Sequence, residues 1–218
     1  TGTAGFALTK STVDADLDGN GTADLVGATL TGVALDVRNA GVNVTGVGNL
    51  TVSGQLAVAT LKPAGAFALP TPTDTRSWFA LKMGSVEVTG NLSAGAVDLS
   101  ATVAIDSLDY NSASDSTVGA VQPKRLDWAS AFDLDGDGQF DDVLNPGAVL
   151  PTPRELKIDF ASSLQLRLTG SLTGNGVVGV AGTANGDPAD NAILTIANVV
   201  QITGTAGFAL TKSTVDAD

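Results

Sequence analysis

Apolar and polar residues alternate with period two along most of the chain. The pattern runs through Val33, Leu35 and Val37; through Leu50, Val52, Leu56 and Val58; through Val97, Leu99, Val103 and Ile105; and through Leu156, Ile158, Phe160, Leu164, Leu166 and Leu168. Period two puts successive side chains on opposite faces of a strand, so each run predicts a strand with one apolar face, as in half-buried antiparallel sheets. A short motif is superimposed on this: an apolar residue, Ser or Thr, Gly, any residue, and an apolar residue. It occurs at Val52–Leu56, Val88–Leu92, Leu168–Leu172 and Ile202–Ala206. A two-residue turn at Gly-X would mix the two faces. The motif therefore predicts either a three-residue loop or a continuous strand whose Gly faces inward at a bend or bulge. One helical turn is expected at Leu126–Phe132, where Trp128 and Phe132 lie four apart. The fold class expected is all-β, an elongated antiparallel sandwich or open sheet made of tandem repeats. A β-solenoid is the alternative, disfavoured because the motif spacing is irregular where a solenoid keeps a fixed rung length.

The ends of the sequence repeat each other. Residues 1–16 read TGTAGFALTKSTVDAD and residues 203–218 read the same sixteen letters. A perfect match of that length marks a tandem array, with residues 17–218 forming one full period. Gly2, Ala4, Phe6 and Leu8, and Val200, Ile202, Gly204, Ala206 and Phe208, share one parity, so the repeated segment is expected to be strand completed by its neighbours. Two segments break the alternation, 62–76 with three prolines and 110–125 with a polar, turn-rich composition; both are expected as surface loops.

Composition narrows the chemistry. The chain has 218 residues, 11 Lys and Arg against 23 Asp and Glu, a net charge of −12, and neither His nor Cys. That leaves no imidazole base, no thiolate, no disulfide and no ordinary zinc or haem site. The acidic balance disfavours nucleic acid, whose binding depends on Lys and Arg clusters. No apolar run approaches the roughly 18 residues that span a bilayer, so membrane insertion by this segment is not expected. Glu87 and Glu155 are the only glutamates, each set in a strand-like alternation that predicts a solvated carboxylate, and the chain is read as non-catalytic.

The strongest chemical signal is a pair of oxygen-rich loops, 16–24 (DLDGNGTAD) and 133–141 (DLDGDGQFD), which align without a gap. A hard cation takes six to eight oxygen ligands, and this spacing supplies them from alternate positions with Gly at the sharp turn. The expected ligands are Asp16, Asp18, Asn20, the Thr22 carbonyl and Asp24 in the first loop, and Asp133, Asp135, Asp137, the Gln139 carbonyl and Asp141 in the second. The loops resemble the calcium loops of EF-hand-type, thrombospondin type 3 and integrin-like FG-GAP repeats. They depart from an EF-hand at position 12, where Gly27 and Leu144 replace the bidentate Glu. The Gly-, Thr- and Val-rich, acidic, cysteine-free unit is similar in style to tandem modules of very large bacterial extracellular proteins, adhesin-like or filamentous. That resemblance implies an extracellular or cell-surface role as a structural repeat of a calcium-stabilised fibre, sheath or adhesin stalk, with neighbouring copies of the repeat as partners. The alternative is a polysaccharide-binding module, with Trp78 and Trp128 as a sugar-stacking platform.

Overall fold

The computed structural model describes residues 2–45, 48–65, 74–94, 97–174, 192–196 and 200–214. Among the described residues nine strands form one antiparallel sheet: β1 (Thr3–Ala15), β2 (Leu25–Val44), β3 (Gly48–Lys62), β4 (Arg76–Ala94), β5 (Val97–Asp115), β6 (Leu164–Gly174), β7 (Ala192–Ile196), β8 (Val200–Thr203) and β9 (Thr205–Ser213). The order is β1-β2-β3-β4-β5-β6-β9, and β7 pairs with the start of β5 and carries β8. The chain is thus all-β, an open antiparallel sheet. Its only helical element among the described residues is one 3-10 turn, Pro146–Val149. The helical turn expected at Leu126–Phe132 is instead a non-helical bend, and the strand β5 runs on to Asp115, so the loop expected to begin at Tyr110 begins at Ser116. Of the expected loop 62–76, residues 66–73 lie outside the described residues.

The two faces of the sheet differ, and the buried one is not the one the alternation marked. Cross-strand pairs share a face, and one row reads Phe6, Leu35, Leu56, Met83, Leu108, Leu168, Leu210, with a second reading Leu8, Val33, Val58, Leu81, Tyr110, Leu166. These large side chains are half-buried against one another or exposed, Phe6 and Leu8 each at 61%. The opposite face carries Ala7, Ala34, Ala57, Ala59, Ala80, Ala28, Leu30 and Leu61, all buried. It is covered by residues from the long β5–β6 connection, 116–163, which supplies Leu126, Trp128, Phe132, Leu150, Leu156, Ile158 and Phe160 to the same core. Bulk from the connection needs small partners on the sheet, because interiors fill to near-crystalline density. The alternation at Leu156, Ile158 and Phe160 belongs to this covering layer and not to a strand; Ile158 makes a single bridge to Leu144.

Buried polar groups sew layer to sheet. Asn111 of β5 donates from Nδ2 to the carbonyls of Leu126 (2.9 Å) and Ala161 (3.3 Å) and accepts from Trp128 Nε1 at 3.1 Å. Trp78 donates from Nε1 to the Lys124 carbonyl at 2.9 Å. Asp36 of β2 accepts from Arg38 and, across the layers, from Arg154 Nε at 3.0 Å.

The glycine motifs run within strands at Gly54, Gly90 and Gly170. Two of the three meet a register shift in a neighbouring pair, at Ser53/Gln55 and at Ile105/Ser107. A Cβ on Gly54 would lie 2.7 Å from Val86 Cγ2, and one on Gly170 would lie 2.5 Å from Phe208 Cζ and closer still to the Ala104 carbonyl oxygen. Both glycines sit on the open face, so the close approach is between neighbouring strands and not toward the covered core. Gly170→Ala should therefore destabilise the fold by about 1–3 kcal/mol through backbone displacement. The loss is read as a lower urea midpoint, and a shift no larger than that of Gly90→Ala, whose nearest neighbour is 3.5 Å away, would contradict the steric account.

Candidate metal centre

Both acidic loops are set at the same end of the sheet. The first leaves β1 directly: Ala15 bridges Phe132, and the Asp16 N–H donates to the Ala131 carbonyl at 3.0 Å. The second loop starts at the next residue after Phe132. The two loops thus spring from paired backbone positions. Each is closed at its base by one hydrogen bond, Asp24 N–H to the Ala15 carbonyl (2.9 Å) and Asp142 N–H to the Phe132 carbonyl (3.0 Å). The closing residues differ in spacing, nine residues in the first loop and ten in the second.

That extra residue decides which aspartate the fold brings to the second group, and it is not the expected Asp141. Carboxylate oxygens of Asp16, Asp18 and Asp24 lie within 4.8 Å of one another, and so do those of Asp133, Asp135 and Asp142. Asp142, not Asp141, closes the second group. Its Oδ2 accepts from the N–H of Leu134 at 2.6 Å and of Asp135 at 2.9 Å, as Asp24 Oδ2 accepts from Leu17 at 2.8 Å. Asp141 is exposed. Two consecutive aspartates made either choice available in the sequence, and the position of the base bond decides between them.

Within each loop the first aspartate organises the backbone. Asp16 accepts from Asp18, Gly19 and Gly21, and Asp133 from Gly136, Asp137 and Gly138. Gly19 and Gly21 (φ 78° and 81°) repeat in Gly136 and Gly138 (81° and 88°), a left-handed conformation that an L side chain would strain. Burial tends to raise the carboxyl of Asp16, but backbone N–H groups of Gly21, Gly19, Asp18 and Asn20 outweigh it and hold the pKa below the ordinary value, so the group stays ionised. Asn20 and Asp137 accept from the N–H groups of Thr22 (2.9 Å) and Gln139 (2.8 Å), closing local turns at the loop tips.

The donor set fits a hard divalent cation. It is all oxygen, it gathers three carboxylates per loop, and among the described residues none of the six carboxylates takes part in an ion pair with Lys or Arg. Like charges held this close repel unless a cation or protons intervene.

The tryptophans do not form a platform. Trp78 is 2% exposed and Trp128 is fully buried, with its ring 5.8 Å from that of Phe132. Neither presents a face to a sugar, because both fill the gap between covering layer and alanine-lined sheet. Asn111 and Asp109, the buried polar residues of β5, carried no motif and were not marked by the sequence; only their place on the small-residue face identifies them. Glu87 and Glu155 are both exposed, on β4 and on the covering layer respectively. No family model, no curated protein and no solved structure matches the chain.

Proposed function

We propose that this chain is a non-catalytic structural repeat unit of a secreted, calcium-stabilised fibre, sheath or adhesin stalk of a bacterial cell surface, with calcium bound in the two acidic loops. The observation that carries the reading is the sixteen-residue identity of 1–16 and 203–218, which places the same strand at both edges of one sheet, with the first acidic loop beginning at the last residue of that segment. Calcium outside cells meets modules of this kind whose Kd is roughly 10⁻⁴–10⁻³ M, and metal replaces the disulfides that a cysteine-free chain lacks. No helix among the described residues is long and apolar enough to cross a membrane.

Binding to the folded state alone stabilises by RT ln(1 + [L]/Kd), about 1.4 kcal/mol per site at ten times Kd. Two sites then raise the melting temperature by roughly 6–12 °C for a chain of this size. Stripping calcium with EDTA should reverse that shift, and equilibrium dialysis against calcium at ten times Kd, with the free ion outside the bag subtracted, should return close to two calcium ions per chain. Asp18→Asn combined with Asp135→Asn keeps the one side-chain oxygen that accepts from the Asn20 and Asp137 N–H groups but removes one charge from each loop, and should abolish the calcium-dependent part of the shift. An unchanged melt with no bound calcium would reject the metal mechanism.

A further inference from the structure

Thr3–Ser11 of β1 and Thr205–Ser213 of β9 carry the same residues, yet among the described residues each of these stretches uses only one of its two edges. Thr3–Ser11 pairs with β2 alone and β9 with β6 alone; Ala15, beyond that stretch of β1, also bridges Phe132. Six antiparallel steps lie between them, an even number, so the two copies run in the same direction. Their faces also agree. Leu8 stands opposite Val33 in the apolar row, and its counterpart Leu210 stands opposite Leu168 in that face. The row that starts at Phe6 ends at Leu210, the counterpart of Leu8, and the row Ala7, Ala34, Ala57, Lys82, Asp109, Arg167 ends at Thr211, the counterpart of Thr9. The register therefore advances by two residues over one circuit. A shift of one would turn every side chain to the other face, whereas a shift of two preserves both faces.

Burial gives a separate indication. In β1 the inward side chains of Ala7 and Val13 are buried beneath the covering layer of their own unit. In β9 all nine residues are exposed, Ala209 included, because among the described residues no covering layer reaches them. The β9 copy has the direction, face and sequence of a β1, and lacks only the β2 and covering layer that bury one.

We infer that β9 of one unit is at the same time β1 of the next: a single strand hydrogen-bonded to β6 of the unit before it and to β2 of the unit after it. The interaction surface is the free edge of β9 with its inward face, and the partner is a second copy of this unit. The result is one antiparallel sheet, six strands per period, with its strands across the array and a two-residue stagger at each joint. This rests on the reading of the chain as a repeat unit and states how the units join.

The test uses a two-unit chain, the present sequence followed by its own residues 17–218, so that one copy of the shared segment lies between complete units. The absence of native cysteine makes each introduced pair the only thiols. Leu210→Cys is combined in one protein with Leu168→Cys of the first unit and in another with Val33→Cys of the second. Directly opposed cross-strand pairs lie within disulfide range, so both proteins should oxidise to near completion, and Ala209→Cys, on the opposite face, should link to neither partner. Linkage to one partner only would overturn the shared strand while leaving the repeat and its calcium response intact. An independent measurement avoids any folding defect of the variants. In small-angle scattering of unmodified chains of two, three and four units, the long dimension should grow by about 29 Å per unit, six strands at ~4.8 Å. Growth near the ~65 Å length of a 20-residue strand would mean end-to-end stacking and would overturn the inference.

Discussion

Trp128→Ala should cost about 3–5 kcal/mol, the range for deleting a buried aromatic side chain, and should release the covering layer from the sheet. The ring is fully buried against Phe132, and its Nε1–H satisfies Asn111 Oδ1. Its loss opens a cavity and at once orphans a buried amide oxygen, whose desolvation alone costs about 1–3 kcal/mol. Asn111 also holds the carbonyls of Leu126 and Ala161, so both ends of the segment that crosses the core depend on it. Trp128→Phe separates the two terms: it retains most of the volume and loses the hydrogen bond, and should cost about 1–3 kcal/mol. Urea unfolding monitored by circular dichroism reads both variants. A Trp128→Ala protein with the stability of the parent would mean that the ring is not part of the core. A loss of sugar binding at unchanged stability would restore the platform reading that its burial argues against.

How much of this could be read from the sequence follows from what alternation encodes. Period two identifies strands and separates their faces, and β2, β3 and β5 lie where the pattern put them, whereas of the run Leu156–Leu168 only the part from Leu164 on is strand. It does not say which face is covered. Val33, Leu35, Leu56 and Val58 are larger than Ala34, Ala57 and Ala59, and size pointed to the wrong side. The reason lies in a distant segment: residues 126–160 bring Trp128, Phe132, Ile158 and Phe160 to one face, where Ala34, Ala57, Ala59 and Ala80 leave room for them. The same segment misled locally, since Trp128 and Phe132 at a spacing of four imitate a helix while packing from an irregular chain. Asn111 fell within an apparent polar loop because a residue that bonds two carbonyls and an indole inside a core has the same letter as one bonded to water. The glycine motif was legible as close approach, and Gly54 and Gly170 show it, but its face depended on the layer. In the acidic loops the first two aspartates of each group were fixed by spacing. The third was not, because Asp141 and Asp142 differ only in where the base hydrogen bond closes. The duplicated segment was plain in the letters, yet that its two copies point the same way required the number of strands between them.

Arg167→Ala should destabilise the chain by about 3 kcal/mol, the low end of the range for removing one partner of a buried ion pair, because Arg167 is itself half-exposed. Asp109 lies on the covered face, fully buried, and its Oδ1 has no hydrogen-bond partner. Its Oδ2 accepts from Arg167 Nε at 2.7 Å. The cation opposite it on β4, its register partner Lys82, points its ammonium to Asp159 at 3.0 Å. Removing the guanidinium would therefore leave a carboxylate desolvated and unpaired. Asp109→Asn should cost less than the arginine variant, since the half-exposed arginine can turn to water and the amide carries no charge. Combining Arg167→Ala with Asp109→Asn should recover about 2 kcal/mol relative to the additive sum, a coupling within the range for residues in direct contact. Urea unfolding of the four proteins completes the cycle. A double variant as unstable as the sum of the singles would show that the cost lies in lost packing of the arginine stem and not in the buried charge. The site bears on the proposed joint between units as well. Asp109, Arg167 and Thr211 form consecutive members of one cross-strand row, so the pair fixes β6 against β5 immediately before the edge on which β9 rests. Loosening it should speed hydrogen exchange in β6 and β9 more than in β1 and β2, and equal effects at both edges would place the pair outside that line of support.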